Sequence, residues 1–177
     1  MMKDLLDKLS SYNIFNYLFP GVLFAAIGER LTSYSLIHND VVIGAFVYYF
    51  YGLVISRIGS LLLEPFLKWV DIVQFVPYKD FVSASKIDNK LELFSEVNNM
   101  YRTLISVSVC ILVLKPLESL AKIFGMPSEY SLMMAVSFLI VLFVFSYRKQ
   151  TDFIKARITK ANETKNFQEQ KDVERTQ

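Results

Sequence analysis

The chain has 177 residues, of which 53% are hydrophobic and only 20% are charged. Average soluble proteins are about 45–50% apolar and about 25% charged, so this composition excludes an ordinary soluble globule. A net charge of +2 defines no partner by itself. The single cysteine, Cys110, excludes an intramolecular disulfide, and the single histidine, His38, excludes a histidine-rich metal site.

Four apolar segments predict an all-α, polytopic membrane protein with four transmembrane helices. They are residues 9–28, 41–63, 103–114 with its flanks, and 130–147. The first holds twenty residues without a charge, enough for a helix to cross about 30 Å of hydrocarbon. The second contains Arg57, whose guanidinium we expect to extend toward the nearby interface.

The distribution of basic residues predicts the orientation. With four spans, sixteen of the 19 lysines and arginines fall on the side shared by the two termini and the middle segment, and three fall on the other. The positive-inside rule therefore places both termini in the cytoplasm. The predicted outer loops, residues 29–40 and 115–129, are short.

The segment 64–102 between spans two and three is expected to be cytosolic and helical. Lys68, Asp71 and Gln74 recur every three residues among apolar ones, which predicts a helix along 66–75 lying in the inner membrane interface. The alternative is an ordinary buried helix of a cytosolic lobe. Pro77 is expected to end this helix.

A second helix is predicted to begin at Ser85, because Ser85 to Asp88 has the form of an N-terminal cap. No glycine or proline falls between Ser85 and Leu114, so this helix is expected to continue into the third span. The fourth span is expected to continue to about Ala161. Residues 1–161 are thus predicted to form one domain, and the polar residues 162–177 a disordered tail.

No common catalytic signature occurs in the chain, so an enzyme and a cofactor are not expected. His38 lies in a short polar segment and is interpreted as a turn residue. Cys110 lies within a span, where a thiol far from positive charge is typically a small packing residue.

Charged residues near the membrane raise two alternatives. Lys115, Glu118 and Lys122 fall on one helix face and are expected to pair near the outer surface. If the third span reaches Phe124, Lys115 would lie inside the membrane and become a candidate for a pore or a switch. The simpler interpretation is a lysine at the outer boundary, and the same choice applies to Arg57 at the inner boundary.

One edge of the second span is made of small residues four apart. They are Gly44, Gly52, Ser56 and Ser60, with Tyr48 as the only large member. Small residues at this spacing let helix backbones approach closely, so we predict that this edge packs against another helix. That helix could belong to the same chain or to a second copy, and a homo-oligomer is expected.

The segment Tyr-Asn-Ile-Phe-Asn-Tyr-Leu-Phe-Pro-Gly at residues 12–21, followed by four spans, resembles the small membrane subunits of bacterial anti-phage systems. The particular likeness is to the KwaA family of the Kiwa system. The resemblance implies an oligomeric sensor in the bacterial inner membrane that works with a cytosolic, DNA-binding partner of the KwaB type. It implies no catalytic residues.

The functional prediction is a sensor or scaffold, in contact with membrane lipid, whose cytosolic helices bind a protein partner and not nucleic acid directly. The expected partner-binding residues are Lys79, Asp80, Lys86, Lys90, Glu92, Arg148, Lys149, Lys155 and Arg157. The basic stretch 148–160 has two other interpretations, a topological anchor or a nucleic-acid contact. The alternative function is an oligomeric pore-forming effector that depolarises the cell, with Lys115 and Arg57 lining water.

Overall fold

The computed structural model describes residues 13–88 and 90–175, with side chains as far as Glu163. The elements are π-helical segment π1 (Ile14–Leu18), α1 (Phe19–Leu31), α2 (Val41–Ile58), π-helical segment π2 (Gly59–Leu63), α3 (Glu64–Trp69), α4 (Tyr78–Ser85), α5 (Lys90–Ile123) and α6 (Ser128–Arg175). No strand occurs in the described residues, and the predicted all-α class is confirmed.

Three helices are long and apolar enough to cross a membrane. They are Val41–Trp69, Lys90–Ile123 and Ser128–Glu163, with 29, 34 and 36 residues. At 1.5 Å per residue these helices measure about 44, 51 and 54 Å, more than the roughly 30 Å of hydrocarbon. The predicted first span, 9–28, is not among the three, and its residues 9–12 lie outside the described part of the chain.

The core of the fold is an antiparallel pair made by α1 and α2, against which α5 packs. The pair is tight because glycines replace side chains at the crossing. A Cβ on Gly21 would overlap the carbonyl of Tyr48, and a Cβ on Gly52 would overlap the carbonyl of Tyr17. Gly28 similarly admits Leu36 and Leu114.

Helix α6 lies at the edge of the bundle and is mostly exposed. Its contacts are with α2, with π2 and with α4. Leu142 is its one buried apolar side chain among the described residues, and Phe143 meets the ring of Phe50. Exposed apolar side chains cover the rest of its span, as expected for a helix whose solvent is lipid.

The predicted interfacial helix 66–75 is wrong beyond Trp69. The helix that begins at Val41 passes through Pro65 and ends at Trp69, and Asp71 adopts a left-handed conformation with φ of 59°. The amide of Ile72 donates to the carbonyl of Leu67 at 3.0 Å, which is the closing bond of a helix C-terminal motif. The polar residues Lys68, Asp71 and Gln74 therefore belong to the end of one helix and to the turn that follows it, and not to a single continuous helix.

The predicted cap at Ser85 is also wrong, because Ser85 is the last residue of α4. Asp88 supplies the side-chain bond instead, its Oδ1 accepting from the amide of Lys90 at 2.9 Å. Helix α5 then runs unbroken through Pro116 to Ile123, so the second outer loop shrinks to the turn around Gly125, where φ is +59°. Helix α6 continues to Arg175, where a disordered tail from residue 162 had been predicted.

Candidate functional site

Four charged side chains meet near the ends of the apolar stretches on the predicted cytoplasmic side, and we call this set the inner cluster: Glu64, Lys68, Arg102 and Lys149. The carboxylate of Glu64 lies 2.7 Å from Arg102 Nη1, 3.0 Å from Lys68 Nζ and 3.5 Å from Lys149 Nζ. These residues belong to α3, α5 and α6. One carboxylate therefore joins three helices and faces three cations.

The π-helical segment π2 brings α2 and α3 into register for this cluster. On an α-helix, each step of four residues overshoots one turn by about 40°, so Glu64 would rotate away from the edge that holds Gly52. In π2 the amide of Glu64 donates to the carbonyl of Gly59, and this wider turn reduces the overshoot. The carbonyl and the hydroxyl of Ser60 then both accept from Lys149 Nζ at 2.8 Å.

A buried set of uncharged polar side chains lies beside the inner cluster. Thr103 is fully buried, and its Oγ1 lies 3.2 Å from Asn16 Oδ1, 3.4 Å from Ser56 Oγ and 2.9 Å from the carbonyl of Asn99. Asn16 belongs to π1 and Ser56 to α2. In a lipid environment an unpaired polar group is costly, so these bonds hold the three segments together.

A second set of polar side chains, the outer cluster, lies at the C-terminal end of α5 and consists of Ser33, Lys115, Glu118 and Lys122. Glu118 is 2% exposed, and its carboxylate lies 2.8 Å from Lys115 Nζ and 2.6 Å from Lys122 Nζ. It also accepts from the amide of Ser33 at 3.0 Å and from the Ser33 hydroxyl. The predicted pairing of the three charged residues is confirmed, and Glu118 also fastens the loop between α1 and α2.

The rest of that loop, residues 32–40, is fastened by the two helices it connects. Glu29 accepts from the amides of Leu36 and Ile37 at 2.9 and 2.6 Å. The amide of His38 donates to the Tyr48 hydroxyl at 3.1 Å, and its ring Nδ1 accepts from the amide of Asp40. His38 is therefore a turn residue, and no group able to hold a metal ion occurs among the described residues.

Asp40 is the N-cap of α2. Its carboxylate accepts from the amides of Ile43 and Val42 at 2.9 and 2.8 Å. These backbone bonds, with that of Ile43 the stronger influence, lower the pKa of the Asp40 carboxyl below its ordinary value. The loop thus enters α2 through a fixed, ionised cap.

The predicted partner-binding residues fall on one layer formed by α4 and the residues after it, the start of α5 and the second half of α6; we call it the cytosolic layer after its predicted side of the membrane. Tyr78 of α4 packs on Phe153 of α6 with ring centroids 4.9 Å apart, and Val82 is buried. The exposed members are Lys79, Asp80, Lys86, Lys90, Glu92, Arg148, Lys155 and Arg157. Lys149 differs, because its ammonium points inward to Ser60 and Glu64.

The small-residue edge of α2 and π2 is occupied within the chain. Gly52 meets the backbone at Tyr17, Ser56 lies near Thr103, and Ser60 binds Lys149. Gly44 is also buried, beside the ring of Tyr48. The edge therefore does not need a second copy for its packing.

Sequence reasoning missed the inner cluster and the buried set around Thr103. A signal was present, since Glu64 and Arg102 directly border apolar stretches and Lys149 follows Arg148 at the end of a third, all on the predicted cytoplasmic side. Residues that close spans on one side of a membrane lie at a similar depth, so pairing was foreseeable. Arg57, in contrast, lies half-buried with Nη2 3.5 Å from the Tyr17 hydroxyl.

The inner and outer clusters are thus joined by one continuous helix, because Arg102 and Glu118 both belong to α5. Comparisons of the chain with protein-family models, with curated proteins and with solved structures find no match.

Proposed function

We propose that the protein is a sensor and scaffold subunit of an anti-phage defence system in the bacterial inner membrane. It would cross the membrane four times with both termini in the cytoplasm, respond to disturbance of the envelope, and recruit or regulate a cytosolic DNA-binding partner. The defence role rests on the resemblance of residues 12–21 to the Kiwa membrane subunits. The sensing role rests on the geometry of α5.

The observation that carries the sensing role is the short distance between the two charged clusters along α5. Arg102 and Glu118 are sixteen residues apart, which is about 24 Å on a helix. The hydrocarbon layer is roughly 30 Å thick, so the charges of α5 fit a locally thinned bilayer or must extend along their side chains to water. A change in membrane thickness or tension therefore alters the free energy of this helix, as a sensor requires.

Helix α5 also links the two sides of the membrane. Its outer end holds loop 32–40 through Glu118, and its inner end begins at Lys90 beside α4. A tilt or shift of this rod would move the cytosolic layer that carries the exposed charged residues. The layer offers both signs of charge, Lys79 next to Asp80 and Lys90 near Glu92, which suits recognition of a folded protein surface.

The sensing role is tested by reconstituting the full chain in vesicles of short-chain and long-chain phosphatidylcholine and measuring hydrogen exchange. We expect loop 32–40 and α4 to exchange faster in the thicker bilayer. Lys115→Leu lengthens the uncharged stretch of α5 by three residues and should reduce this difference, whereas Lys122→Leu leaves the stretch unchanged and serves as the matched control. Equal exchange in both bilayers for the unmodified chain would refute the sensing role.

The scaffold role is tested by capture of cytosolic proteins on the membrane-embedded chain. Charge reversal at Lys79, Lys86 and Lys90 should abolish recovery of the partner, while reversal of Arg30 at the other end of the bundle should not. Unchanged recovery of every captured protein would remove the scaffold role. Reproducible conductance in planar bilayers would instead favour the pore-forming effector.

The topology has its own test. In a Cys110→Ser background, a cysteine introduced at Lys86 should resist a membrane-impermeant thiol reagent in intact cells and react after lysis. Labelling in intact cells would show that Lys86 faces the outside, and it would refute the proposed topology.

A further inference from the structure

We propose that the inner cluster binds the phosphate of an anionic phospholipid headgroup. This inference requires only that the long helices cross a membrane, and it does not depend on the defence or sensing role. The ligand chemistry is a phosphate monoanion. The source we commit to is lipid, because the helices that carry the cluster also carry many exposed apolar side chains.

The charge of the cluster is the first reason. Lys68, Arg102 and Lys149 all lie within 3.5 Å of the single carboxylate of Glu64. Each ionised group counts once, so the cluster keeps an excess of two positive charges. Excess charge at an apolar boundary is costly unless an anion compensates it, and basic pockets between helices on the cytoplasmic side are typical sites for lipid phosphates.

The accessibility of the donors is the second reason. Glu64 is 13% exposed and occupies the interior of the cluster, whereas the side chain of Lys68 is 45% exposed. The side chains of Lys149 and Arg102 keep 28% and 21% exposure. A phosphate approaching from the lipid side thus meets the Lys68 ammonium before it meets the carboxylate, and such a charge-assisted bond is strong.

The surroundings of the cluster place it at headgroup depth. Trp69 follows Lys68 and is 79% exposed, the behaviour of an aromatic residue in the interfacial belt. Phe75 is half exposed, and the centre of its ring lies 4.3 Å from the Lys68 ammonium. A lipid bound at Lys68 would therefore contact an apolar side chain as well as the charge, which a free phosphate could not use.

Lipid retention measures the site directly. The full chain is purified in detergent, incubated with phosphatidylglycerol or phosphatidylcholine, and examined by native mass spectrometry for bound lipid. We expect one phosphatidylglycerol to be retained in preference to phosphatidylcholine. Lys68→Gln and Lys149→Gln should each weaken retention about five-fold, the change that one basic residue at a membrane surface produces. Arg30→Gln removes the same charge outside the cluster and should have no effect.

Glu64→Gln provides an independent test with the opposite sign. It removes the carboxylate that competes for the three cations and should increase retention of phosphatidylglycerol. If the cluster is only a structural ion pair, the same variant would lower stability without a gain in lipid binding. Equal retention of both lipids, loss of retention in Glu64→Gln with an unchanged fold, or equal competition by inorganic phosphate would each overturn the proposal.

Discussion

The crossing of π1 with α2 gives a sharp prediction about packing, because two glycines on the same helix edge have different neighbours. A Cβ on Gly52 would overlap the carbonyl of Tyr17 and lie 2.8 Å from its Cα, so the added methyl group meets backbone that cannot rotate away. A Cβ on Gly44 would lie 3.3 Å from the ring of Tyr48, a side chain that can shift. Gly52→Ala is therefore the perturbation and Gly44→Ala the matched control.

The magnitudes follow from two opposing effects. Alanine is favoured over glycine within a helix by about 1 kcal/mol, and this gain applies to both variants. Overpacking against a fixed neighbour costs about 1–3 kcal/mol, and more when the neighbour is backbone. We thus expect Gly44→Ala to be neutral or slightly stabilising, and Gly52→Ala to be destabilising by about 1–2 kcal/mol.

The assay is thermal unfolding of the purified chain in detergent, followed by the fraction that remains monodisperse in gel filtration. Equal stability of Gly52→Ala and Gly44→Ala would refute the backbone contact between π1 and α2. A loss of oligomer with unchanged unfolding of the subunit would show that the edge contacts a second copy instead of Tyr17.

Two further predictions concern the fastening of loop 32–40. Glu118→Gln removes the charge that pairs with Lys115 and Lys122, so we expect a lower melting temperature and faster hydrogen exchange in the loop. Glu129→Gln, at an exposed site, should change neither quantity. An unaltered loop in Glu118→Gln would contradict the role of Glu118. The pKa of Asp40 is lower in the folded state than in the unfolded state, so its cap contributes stability above the unfolded pKa of about 4, and this stability is lost as the pH falls further. Asp40→Asn should reduce the loss of melting temperature at acidic pH. The same dependence of melting temperature on pH in both proteins would contradict the cap.

Apolar run lengths predicted most of the helical architecture, because the cost of exposing backbone to lipid leaves a long apolar segment no option but a helix. The long helices that begin at Val41 and near Tyr130 follow directly, and so does the continuity of α5 from Lys90 through Arg102 into its apolar stretch. Pro116 did not end α5, since a proline within a spanning helix is tolerated where neighbours support the turn. The first span is the exception, since it is not among the three helices that qualify.

The sequence signals in segment 64–102 predicted wrong helix ends, because more than one residue could form the same capping bond. Ser85 and Asp88 both fit a cap, and the short helix α4 took Ser85 as its last residue, leaving Asp88 for the start of α5. Polar spacing in 66–75 could not reveal that Asp71 would leave the helical region. The periodicity of polar residues indicates which face of a helix is exposed to water, but it does not indicate where the helix ends.

The inner cluster was missed for a different reason. The positive-inside count treats Lys149 and Arg102 as independent ions in water. In the structure both contact the carboxylate of Glu64, which the wide turn of π2 brings close to them. Lys149 and Arg102 therefore contribute both to the predicted orientation of the chain in the membrane and to the packing of its helices. If the excess charge of the inner cluster is neutralised by a lipid phosphate, the lipid becomes part of the joint between α3, α5 and α6. Membrane composition would then act on the same helices as membrane thickness, and the two influences can be separated because Lys115→Leu alters only the second.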